Sequence, residues 1–112
     1  MRTTDPTPPA SPGLFNLAYH AAYHALSGRY DGGAHDTAAD IAAAVVRRYR
    51  IRSPEHLRRI ADESAARQAI VGTVIRLALP VPGGTEHALP LVDEAVAAAA
   101  RALLDHRDRA QR

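Results

Sequence analysis

The chain has no cysteine, no tryptophan, no lysine and a single phenylalanine, and it contains no apolar run of membrane-spanning length. Without cysteine there is no disulfide scaffold, no thiolate nucleophile and no Cys-ligated zinc or iron–sulfur site, an absence that fits a cytoplasmic protein. A helix crossing a bilayer needs about 18 or more consecutive apolar residues, so no such helix is expected. The opening stretch MRTTDPTPPASPG lacks the apolar core of a signal peptide. The length, 112 residues, is that of one domain, which excludes an enzyme with its cleft between two domains. Aromatic residues make up only 4% of the chain, which argues against a β-rich fold.

Alanine is abundant instead. The chain carries 24 Ala, each burying little area. Its larger apolar residues number about two dozen, enough for one modest core. All 14 basic residues are Arg, set against 12 acids for a net charge of +2. The distribution is uneven. Arg47, Arg48, Arg50, Arg52, Arg58 and Arg59 face one acid, Glu55, whereas Glu86, Asp93, Glu94 and Asp105 surround Arg101. The middle of the chain is therefore basic and its C-terminal third acidic.

Four of the first twelve residues are Pro, so residues 1–13 read as a disordered leader. Four helical segments follow. The first spans about 14–26 and ends at Ser27-Gly28. The second spans about 37–50, with Asp36 as its N-cap. The third begins at Ser53-Pro54-Glu55, a cap followed by Pro and an acid in the first turn, and runs unbroken to Leu79. Gly72 near its middle reads as a kink or a close helix contact. The fourth spans about 89–106 with Pro90 in its first turn. No internal repeat is found.

Helical periodicity assigns the faces. In the second segment Ile41, Ala42, Val45, Val46 and Tyr49 share one side, and Asp36, Asp40, Arg47 and Arg50 the other. In the third, Leu57, Ile60, Ser64, Val71, Ile75 and Ala78 form the buried stripe, with Ile70 and Leu77 outside it. The fourth has Leu91, Val92, Val96, Leu103 and Leu104 as bulk among alanines. These features predict an all-α protein: a small antiparallel bundle of three to four helices over residues 14–107, with a frayed tail at 108–112. Ala-lined faces allow close helix approach but release little free energy. Self-association or a partner helix is expected on that ground, with Ala99 and Ala100 of the fourth segment as the candidate contact. The sequence leaves open whether that segment packs on its own chain or on a neighbour's.

Several residue groups are candidates for chemistry. His20 and His24, at i and i+4, lie on one helix face as a two-histidine metal site requires. The sequence supplies no third ligand, so a polar exposed stripe is the expectation and no metal or other cofactor is assigned. The Arg47–Arg59 corner is the binding candidate, through Arg47, Arg48, Arg50, Arg52, Arg58 and Arg59, whose guanidinium forks match phosphate and carboxylate. Arg67, at the edge of the third stripe, pairs with Glu63 four residues earlier. Ser11, Ser27, Ser53 and Ser64 have no nucleophile motif around them. The adjacent acids Asp62-Glu63 and Asp93-Glu94 point apart on a helix and form no carboxylate dyad.

Two resemblances arise. Residues 18–25, AYHAAYHA, resemble the first-helix pattern of HEPN domains, helical bundles that include RNA-cleaving toxins. That resemblance would make the Arg-x4-His pair Arg101 and His106 catalytic. Residues 39–50, ADIAAAVVRRYR, are similar to the clamp-binding helix of sigma-factor region 2, and 70–79 to the helix after it. This implies a transcription-linked domain, although Ala43 and Ala44 stand where clamp contacts are usually polar. The expected function is a non-catalytic interaction or regulatory module that self-associates or binds a protein partner. Nucleic-acid binding at the Arg corner and a HEPN-like ribonuclease are its two rivals.

Overall fold

A computed structural model of the protein describes residues 10–29, 33–51, 54–78 and 85–110, with side chains over 13–29, 33–50, 55–76 and 89–110. It is all-helical over those residues. The five helices are α1 (Ala10–Leu26), α2 (Ala34–Ile51), α3 (Pro54–Asp62), α4 (Ser64–Ala78) and α5 (Thr85–Ala110). Among the described residues no helix is long and apolar enough to cross a membrane. Residues 1–9, Arg52, Ser53, the Pro/Gly stretch at 79–84 and the last two residues lie outside the described part.

α5 is the organising element, because it packs against each of the other four helices and most extensively against α1. Its buried side carries Leu91, Val92, Val96, Leu103 and Leu104, the residues that periodicity selects. Between them Ala95, Ala99 and Ala100 are wholly buried. The alanines expected to meet another chain therefore face this chain's own core, where their small side chains let neighbouring backbones come close. α5 is also longer than its sequence signals indicate. It begins at Thr85, so Pro90 falls in the second turn and removes one intrahelical hydrogen bond there.

The α2 face is as periodicity requires: Ile41, Ala42, Val45 and Val46 are buried and Tyr49 packs on the core. Its start is not. The Thr37 N–H donates to the Gly33 carbonyl at 2.9 Å, which makes Gly33 the cap and moves Asp36 into the first turn. α1 begins at Ala10, earlier than Gly13 suggests, and ends at Leu26, two residues before Gly28, whose φ of 77° is the left-handed conformation common just past helix ends.

The largest departure is in the third segment, which is two helices. α3 stops at Asp62, Glu63 is not helical, and α4 starts at Ser64. The break resets the helical phase. Leu57 and Ile60 remain buried, but Ser64 turns outward, while Ile70 and Val74 join Val71 and Ile75 in the core. Gly72 lies inside an uninterrupted α4, and a Cβ there would meet nothing within 4 Å, so it marks no close approach.

Candidate functional site

The break after α3 leaves carbonyls with no helical partner, and two guanidinium groups take them. Arg67, only 9% exposed, donates from Nη1 to the carbonyls of Ile60 (2.9 Å) and Ala61 (3.1 Å). Its Nε and Nη2 grip Asp93 of α5, each at 2.9 Å. Arg101 Nη2 adds bonds to Ala61 O (3.0 Å) and Asp62 Oδ1 (3.2 Å). The expected Arg67–Glu63 pair is not the one formed; Glu63 instead meets Arg59 at 3.5 Å. The buried cation thus finds its carboxylate on another helix, and it serves as a C-cap and an interhelix tie.

Both acid pairs diverge, Asp93-Glu94 on the helical turn of α5 and Asp62-Glu63 at the break after α3. Asp62 goes to Arg101 and Glu63 to Arg59, while Asp93 goes to Arg67 and Glu94 to Arg29 at 3.1 Å. Arg101 is therefore engaged at the end of α3. His106 is exposed further along α5, five residues on and about 140° round the helix from it.

The basic corner divides into two parts. Arg47 and Arg50 are exposed and Arg48 half-buried in the last turns of α2, where cations complement the helix dipole. Arg58 and Arg59 are exposed on α3, but they share an open depression of about 340 Å³ with Glu55, Asp62 and Glu63. That half is a mixed-charge face with more acids than bases.

A different face stands out on α1. From Ala10 to Gly28 the chain has no Asp, Glu or Arg. Residues four apart form rows that drift only about 40° per step round a helix. Leu14, Ala18, Ala22 and Leu26 make the buried row. Phe15, Tyr19 and Tyr23 make a half-buried aromatic row, with ring centroids 6.2 and 6.1 Å apart and near-parallel planes. Leu17, Ala21 and Ala25 form a second half-buried row, and Asn16, His20 and His24 the exposed one. The aromatic row continues onto α2: His35 stacks on Tyr23 at 4.7 Å, and its Nδ1 bonds the Tyr19 hydroxyl at 2.6 Å.

The exposed placement of His20 and His24 agrees with the expected polar stripe. Among the described residues no three His, Asp or Glu side chains group as metal ligands. The aromatic row was missed at the sequence level, although its signal is there. Phe15, Tyr19 and Tyr23 are spaced by four, and AYHA occurs twice in tandem at 18–21 and 22–25. Chemically the face offers imidazoles, phenol hydroxyls and apolar surface, a composition suited to contact.

No protein family, curated protein or solved structure matches this chain. The HEPN-like and sigma-like resemblances therefore rest on their own residues.

Proposed function

We propose that the protein is a non-catalytic helical module that pairs with a second copy of itself through the outer face of α1. The observation supporting this is the absence of any Asp, Glu, Lys or Arg on that helix beside its exposed Asn16, His20 and His24. Solvent-facing helix surfaces normally carry charge, as α2 does with Asp36, Arg47 and Arg50. The cores of protein interfaces are depleted in charge and enriched in aromatic residues. Two copies of α1 can approach with no Asp, Glu, Lys or Arg on either helix to repel its counterpart, and the row of Leu17, Ala21 and Ala25 allows close packing. The cysteine-free composition fits a reducing, cytoplasmic setting for such a module.

The test is light scattering after size exclusion over a concentration series, for the wild type and for Ala21→Arg. The reading expects a concentration-dependent dimer that Ala21→Arg converts to a monomer of unchanged helical content. A wild type that stays monomeric up to about 1 mM would overturn it.

Nucleic-acid contact through the α2 half of the basic corner is the second reading, favoured by the outward placement of Arg47 and Arg50. The same chromatography tests it, because four Tyr and no Trp give the protein weak absorbance of its own. A salt-sensitive excess at 260 nm, lost on Arg47→Ala with Arg48→Ala, would promote it above self-pairing.

A further inference from the structure

We infer that His20 and His24 form half of a divalent transition-metal site, completed by the same pair from a second copy, with Zn²⁺ as the fitting cation. The inference rests on the self-pairing reading and adds the ligand chemistry of its interface.

The two imidazoles are exposed and one helical turn apart on the same row, a spacing at which Cβ atoms lie about 5–6 Å apart and both rings can reach one ion. Each ring lies edge-to-face against the tyrosine before it. Tyr19 meets His20 at 5.5 Å and 71°, and Tyr23 meets His24 at 6.3 Å and 62°. The two histidines therefore have matching supports, which limits the rotamer freedom lost on binding. The Tyr19 hydroxyl is already committed to His35, so that phenol and the His35 Nδ1 are occupied with each other. No acid on α1 competes for the imidazoles or adds charge to the site.

The donor set is incomplete in one chain. Zinc takes four ligands in a tetrahedron, with nitrogen at about 2.0–2.1 Å. Among the described residues no third His, Asp or Glu joins the pair. A two-fold axis passing between two α1 helices brings a second His20–His24 pair opposite the first and supplies four nitrogens. Imidazole ligation suits Zn²⁺, Cu²⁺ and Ni²⁺ and disfavours Mg²⁺ and Ca²⁺. The interface has use for such a tie. The strip from Leu14 to Leu26 is about 20 Å long and one helix wide. That is small beside the roughly 1,200 Å² or more that stable interfaces bury.

The test uses the full chain without any histidine tag, titrated with ZnCl₂ against a chromophoric zinc indicator, with light scattering in EDTA and in excess zinc. The expected result is one zinc per two chains, with dimer association at least about tenfold weaker in EDTA, since the shared ion makes the second contact intramolecular. His20→Ala and His24→Ala should each lose zinc binding by about tenfold or more while keeping the wild-type melting temperature, because both side chains are exposed. One zinc per chain with no change in mass would overturn completion by a second copy. Absence of binding, or binding unchanged in His20→Ala, would overturn the site itself. If zinc fails to bind but the EDTA-treated chain is a dimer that Ala21→Arg dissociates, the metal inference falls and self-pairing stands. If the chain is monomeric with and without zinc, both fall.

Discussion

Arg67 and Asp93, 26 residues apart in the chain, form a two-point ion pair with both bonds at 2.9 Å. The Arg67 side chain is 11% exposed and that of Asp93 29%, so the pair sits where water screens it little. The same guanidinium bonds the last carbonyls of α3. One side chain thus fixes where α3 ends, how α4 departs and where α5 lies against both.

Removing the carboxylate should be more damaging than its partial exposure suggests. Asp93→Ala leaves a buried cation with only carbonyl partners, and should cost on the order of 2–4 kcal/mol of unfolding free energy in urea. A double-mutant cycle with Arg67→Met should show strong coupling, because each group is the other's charge partner. A loss under about 0.5 kcal/mol for Asp93→Ala would show that the pair contributes no more than an exposed one.

Ala99 is fully buried between α5 and its neighbours. Ala99→Leu should overpack that site and lower stability by about 1–3 kcal/mol, with oligomeric state following Ala21 instead. Thermal melts and light scattering on the two variants separate these roles. A stable Ala99→Leu with altered mass would return the contact face to α5.

Gly28 holds a φ of 77° at the end of α1, with open space around its missing Cβ. Gly28→Ala meets no clash, so its cost is the backbone strain alone, about 1 kcal/mol. Chemical denaturation should report a shift of that size, and a neutral substitution would mean the turn readily adopts another conformation.

The Tyr19–His35 hydrogen bond is exposed, whereas Tyr23 packs its ring on the core and on His35. Tyr19→Phe should therefore cost about 0.5–1 kcal/mol and Tyr23→Ala clearly more. Equal losses in the two variants would show that the hydroxyl, rather than ring packing, holds α1 to α2.

The helices and most of their buried faces were legible because a 3.6-residue period survives in Ile41–Val46 and in Leu91–Leu104. The break at Glu63 was not. The apolar period runs straight through it, and what ends α3 is Arg67 reaching across to Ile60, Ala61 and Asp93, contacts that exist only in three dimensions. Local reasoning paired Arg67 with Glu63, the nearer carboxylate along the chain, and tertiary geometry chose the more distant one. The α1 face is readable in outline: the spacing of His20 and His24 sets them on one polar row, whereas the stacking of Tyr19 and Tyr23 on His35 of α2 exists only in the fold. Whether the alanines of α5 face inward depends on what covers them. Composition alone carries no such information.

Because α5 follows the other four helices in the chain and touches all of them, the ribosome delivers the keystone last. Until its turns emerge, α1 to α4 have only one another to close against, chiefly α1 against α2. Nascent chains should then stay protease-sensitive beyond the α1–α2 pair until α5 packs across all four helices.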